Sequence, residues 1–100
     1  MDEFRQRVKE HAEQSVRYND PHVSERFALR TGSRKLVEMH VKNPTCLSGF
    51  KKKAGKYGDV VYELYFDLGD KTMILPVIFR KKGLYIITFI LRHRNWRNFI

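Results

Sequence analysis

The hydrophobic pattern changes period midway along the chain, and that switch restricts the fold more than any other feature. Up to about residue 43 apolar side chains recur every three or four positions, whereas from Val60 onward they alternate. Phe4, Val8, Ala12 and Val16 fall at i, i+4, i+8 and i+12 among charged neighbours, a narrow stripe that predicts an amphipathic helix from about Asp2 to Arg17. Asp20-Pro21 then supplies a cap and a first-turn proline for a second helix, with Val23, Phe27 and Leu29 facing inward until Thr31-Gly32. Ser33 caps a third, which carries Leu36, Val37, His40 and Val41 on one side and ends at Asn43-Pro44.

The alternating half begins at Val60, where Tyr62, Leu64, Phe66 and Leu68 point to one face of a strand and Glu63, Tyr65 and Asp67 to the other. Gly69-Asp70 turns the chain into a strand from Thr72 to Arg80, and Lys81-Lys82-Gly83 turns it into another from Leu84 to Leu91. A further strand near Cys46 to Phe50 precedes these, leaving Lys51 to Gly58 as a basic loop. Pro76 has no N–H to give to a ladder, so an edge position or a bulge is expected there. The expected architecture is α+β, with N-terminal short helices packed on a three- or four-stranded antiparallel sheet in a single domain, residues 1–100.

Charge follows the same division. Residues 1–38 hold eight Lys/Arg and seven Asp/Glu, residues 39–100 hold twelve and four, so nearly all of the net +9 belongs to the strand-forming part. No acidic residue follows Asp70. The cationic part is also the more apolar part, which excludes a solvated basic tail and places the charge on the rim of a folded core. A polyanion is the partner such a surface suits.

The lone Cys46 can form neither an intramolecular disulfide nor a cysteine-based zinc site, which fits a cytoplasmic protein. The opening MDEFRQRVKEHAEQ lacks the apolar core of a signal peptide, and no apolar run reaches membrane-span length, so no membrane association is expected. His11, His22, His40 and His93 show no ligand spacing, and glycine-rich phosphate loops and dinucleotide signatures are missing; neither a metal nor a cofactor is expected. His22, Glu25, Arg26 and Arg30 would share one helical face, where ordinary surface pairing accounts for them.

Two segments carry candidate chemistry. Lys51, Lys52, Lys53 and Lys56 lie beside Tyr57 between glycines, a combination suited to tracking a phosphate backbone while the ring stacks on a base. The tail Arg92-His93-Arg94-Asn95-Trp96-Arg97 places forked cations beside a group that titrates near neutral pH, the two abilities that metal-independent RNA cleavage needs. Solvated loops and a C-terminus that merely covers the core are the bland alternatives.

Gly83-Leu84-Tyr85-Ile86-Ile87-Thr88-Phe89-Ile90-Leu91-Arg92-His93-Arg94 resembles the late strand of the RelE/ParE superfamily of bacterial and archaeal toxins, which ends in a basic step. His22 to Arg30, the helix ending in Asn43-Pro44 and the tyrosine-rich strand resemble small uncharacterised domains distantly similar to RelE and BrnT toxins. The resemblance implies a toxin acting on free or ribosome-bound mRNA, with Arg80, Arg92, His93 and Tyr57 as catalytic candidates, and Lys51, Lys52, Lys53, Lys56, Arg94 and Arg97 holding the RNA. It implies an acidic antitoxin-like partner as well. RelE-like toxins carry an arginine within the strand after the tight turn, where this chain has Tyr85 and Ile86, and some superfamily members inhibit gyrase instead. The competing expectations are a non-catalytic nucleic-acid-binding module using the same patch, and a protein-interaction domain that accepts an acidic segment.

Overall fold

A computed structural model describes residues 1–20, 23, 34–56 and 58–93. The expected second helix, with the face formed by His22, Glu25, Arg26 and Arg30, falls outside them apart from Val23, which is buried. Among the described residues there are two helices, α1 (Asp2–Gln14) and α2 (Arg34–Lys42). Six strands accompany them: β1 (Val16–Tyr18), β2 (Leu47–Ala54), β3 (Val60–Asp67), β4 (Thr72–Arg80), β5 (Gly83–Ile86) and β6 (Ile90–Arg92). The class is α+β, as expected. The sheet is larger than expected and mixed, in the order β1-β5-β4-β3-β2 with β6 also on β4, because β1 joins β5 in parallel.

The first helix is shorter than its apolar stripe. Ser15 is extended (φ −167°, ψ 153°), its carbonyl accepts from Leu84 N–H at 2.9 Å, and Val16, Arg17 and Tyr18 align with Leu84, Tyr85 and Ile86. A β-branched residue and an aromatic two positions apart suit a strand, and the exposed backbone of β5 offers hydrogen bonds that one more helical turn would not match. Val16 still packs on the core, so its burial is satisfied either way.

The lysine cluster is also placed differently from expectation. Lys51, Lys52 and Lys53 are strand residues of β2, paired with Glu63, Tyr62 and Val61, and the connecting loop shrinks to residues 55–59. Lysine is tolerated there because β2 stands at the edge of the described sheet, where all three side chains are exposed. Tyr57 lies outside the described residues.

The expected strand from Leu84 to Leu91 is broken into β5 and β6. Val77 pairs with Ile86 and Ile74 with Ile90, so three residues on one strand face two on the other, a bulge opposite Leu75 and Pro76. Pro76 sits in the central strand, buried, and accepts a 2.9 Å hydrogen bond from Ile87 N–H without a donor to return. The extra residue corrects side-chain parity. Ile86 and Leu91, an odd number of residues apart, both reach the same core along with Phe89.

That core lies between the helices and one face of the sheet. Val8 and Ala12 of α1 and Val37 and Val41 of α2 meet Leu64, Phe66, Met73, Leu75 and Val77, all at most 1% exposed. Phe4 anchors the start of α1, stacked on Phe50 at 3.9 Å and edge-on to Phe79 at 5.8 Å, and Arg5 Nε donates to the Leu47 carbonyl at 2.9 Å. Arg7 and Lys52 lie over rings of this group, 4.0 Å from Phe79 and 6.0 Å from Tyr62. No described helix is long and apolar enough to cross a membrane.

Candidate nucleic-acid interface

Strand register decides which charges share the sheet face turned away from the helices. Leu64, Phe66 and Val77 point to the core, so Glu63, Tyr65, Thr72, Ile74, Pro76, Ile78 and Arg80 point the other way. Tyr65, Thr72, Ile74 and Pro76 are buried, which leaves the Arg80 end of this face as its accessible part.

There one row crosses the whole sheet. Arg17 of β1 is in register with Tyr85 of β5, Tyr85 with Ile78 of β4, and Val61 of β3 with Lys53 of β2; continuing the β3–β4 register by one residue sets Val61 beside Ile78. At about 4.8 Å between strands the row is about 19 Å long. It has a cation at each end, an aromatic, and an aliphatic floor between them. Arg17 and Lys53 are exposed, and Tyr85, Ile78 and Val61 are half-buried.

The β1 end deepens into a cleft of about 320 Å³ lined by Ser15, Arg17, Arg80, Lys82 and Tyr85, together with Gly83 and Leu84. The Arg80 guanidinium lies 4.3 Å from the Tyr85 ring centroid, a cation over a π face. Ser15 Oγ donates to the Lys82 carbonyl at 2.7 Å, which ties the β4–β5 turn to the start of β1. Gly83 permits this approach: a Cβ there would lie 2.0 Å from Ser15 Oγ and 2.7 Å from the Ser15 carbonyl oxygen, at a backbone φ of +156°. Among the described residues, no carboxylate pairs with Arg17, Arg80 or Lys82; the ion pairs found are Arg5–Asp2, Arg34–Asp20 and Lys53–Glu63. Three cations with no described carboxylate partner thus share one concave site and make it electropositive.

At the far end of the row Lys53 Nζ is 3.2 Å from Glu63 Oε2, while Tyr65 donates its hydroxyl to Glu63 Oε1 at 3.0 Å. Burial above all, then the hydrogen bond and charge of Glu63, push the Tyr65 hydroxyl up to about 12. It therefore stays a donor at neutral pH and orients the carboxylate.

The remaining candidates are dispersed. Arg80 is opposite Gly83 at one end of β4, and Arg92 opposite Thr72 at the other, on the order of 25 Å away. His93 follows Arg92, and both are exposed. Arg80 therefore does not join Arg92 and His93 in one compact site. Lys51 and Lys53 share the outer face, whereas Lys52 alternates onto the helix side; Lys56 is exposed in the β2–β3 turn. Tyr57, Arg94 and Arg97 lie outside the described residues. Among the described residues no cluster of His, Cys, Asp and Glu could hold a metal ion.

Arg17, Lys82 and Tyr85 are additions that sequence reasoning did not assign to a site. Arg17 was hidden in a supposed helix, and Lys82 in a turn where lysine is ordinary. The local signal was Val16-Arg17-Tyr18 before Asn19-Asp20, a strand-like alternation too short to stand against the longer helical stripe. The chain matches no protein-family model, no curated protein and no solved structure.

Proposed function

We propose that this protein binds single-stranded RNA across the outer sheet face. The observation that carries the proposal is the row from Arg17 through Tyr85, Ile78 and Val61 to Lys53, with Arg80 and Lys82 gathered at the Arg17 end and no described carboxylate paired with Arg17, Arg80 or Lys82. Cations track phosphates, while a half-buried ring and a guanidinium plane offer stacking surfaces to unpaired bases. A span of about 19 Å suits roughly four nucleotides, the lower end of site sizes on sheet-based single-strand binders.

Fluorescence anisotropy with a labelled 12-nucleotide RNA, titrated over a range of KCl concentrations, tests it. Each single-strand phosphate neutralised contributes about −0.7 to the slope of log K against log salt. Arg17→Gln and Arg80→Gln should each flatten the slope by about that amount, and Tyr85→Ala should cost about 1 to 3 kcal/mol. Salt-independent binding, or full affinity in the double arginine variant, would reject the proposal.

A RelE-like toxin that cuts RNA is the stronger form of this reading and adds proton transfer. In that form Arg92 would supply the cation and His93 the imidazole for that step, at the other end of β4 from the cleft. Incubation with mRNA, with and without ribosomes, tests this form; it requires cleavage products that vanish in Arg92→Ala and His93→Ala.

A further inference from the structure

We propose that the cleft formed by Arg17, Arg80 and Lys82 receives a phosphate monoester at a strand end, so that RNA is bound by its terminus and in one direction. This inference rests on the RNA-binding reading above and adds which part of the RNA enters the cleft.

Charge is the first reason. An internal phosphodiester carries one negative charge, and Lys53 at the opposite end of the row, already paired with Glu63, matches no more than that. The cleft holds three cations that no described carboxylate answers. A terminal monoester carries about −1.5 to −2 at neutral pH, and the first diester beyond it adds one more charge. The sum matches the cleft.

Geometry is the second. A monoester presents three terminal oxygens where a diester presents two, and two guanidinium forks beside a lysine supply the larger number of donors such a group accepts. The cleft lies where the row stops, beside β1, which among the described strands pairs with β5 alone. At about 320 Å³ it is at the small end of ligand pockets, the size for a terminal group and not for a duplex groove.

Rigidity is the third. Arg80 is held over Tyr85, and the backbone of the turn bearing Lys82 is tied to Ser15, so the Arg80 guanidinium and the base of the Lys82 side chain are placed before the ligand arrives. A solvated lysine turn would lack these restraints.

The test compares one internally labelled 12-nucleotide RNA in three forms: 5′-phosphorylated, 3′-phosphorylated, and with hydroxyls at both ends. One phosphorylated form should bind at least about tenfold more tightly than the hydroxyl form, and which one does so fixes the direction of the strand. Lys82→Gln, a change at an exposed position, should reduce that preference to less than about twofold, and a preference of about tenfold retained in this variant would count against the cleft as the site of the terminal phosphate. Equal affinity for all three forms, with salt dependence and the Tyr85→Ala loss retained, would overturn the terminal-phosphate inference and leave RNA binding standing. Failure of all three forms to bind would overturn both.

Discussion

Gly83 shows how a single residue holds the candidate cleft together. Its missing side chain lets Ser15 reach the β4–β5 turn, so the Ser15 hydroxyl can hold the Lys82 carbonyl and the Ser15 carbonyl can accept from Leu84. An added methyl group would collide with both Ser15 oxygens and would sit at a positive φ that side chains rarely adopt. Gly83→Ala should therefore destabilise the protein by about 3 kcal/mol, and thermal unfolding should show a fall in Tm of more than about 10 °C. Removing the hydroxyl as well, in Ser15→Ala with Gly83→Ala, should recover only part of the loss, because the backbone collision remains. An unchanged Tm in Gly83→Ala would show that β1 does not need this close approach.

Elements divide the cationic chain into two surfaces with different work. On the helix side, Arg7 and Lys52 lie against aromatic rings and help seat α1 through Phe4, Phe50, Tyr62 and Phe79. On the outer side, Arg17, Arg80 and Lys53 face solvent around an aromatic and aliphatic floor. Phe4→Ala should accordingly cost about 2 kcal/mol in urea denaturation, less than a fully enclosed phenylalanine because Phe4 is half-buried. RNA affinity of the folded variant should stay unchanged. A parallel loss of affinity would place part of the interface on the helix side.

The parts of this architecture that could be read in the sequence were those fixed by local pattern. Tyr62, Leu64 and Phe66 alternate with Glu63 and Tyr65 over enough residues to define both faces of β3, and Gly69-Asp70 marks its turn. Lys51 to Lys53 looked like loop because lysine has low strand preference and its partners, Val61 to Glu63, lie about ten residues away. The split of the last strand depends on Pro76, whose effect on its neighbour appears only once the two strands are paired.

At the scale of the whole molecule, an excess of +9 with few ion pairs among the described residues leaves the folded state repelling itself. Salt should act in opposite directions on stability and on binding. Raising KCl from about 50 to 300 mM shortens the screening length, so Tm of the free protein should rise by a few degrees while RNA affinity falls. At RNA concentrations about a hundredfold above Kd, binding should stabilise the protein by about 2.7 kcal/mol at low salt. A Tm that falls as salt rises, without RNA, would mean that attractive pairs outweigh the repulsion.

The sequence by itself determined the class, the position of the change from helix to strand, the faces of β3 and the concentration of charge in the strand-forming half. These follow from side-chain period and composition, which act over a few residues. Only the tertiary structure decided that Val16 to Tyr18 leave the helix to pair with β5, that Pro76 sits in a central strand opposite a bulge and not at an edge, and that Arg17 and Arg80 meet around Tyr85. Each of these depends on hydrogen bonds and contacts between segments distant in the chain: backbone groups must find partners somewhere, and which partner is nearest is a property of the folded sheet.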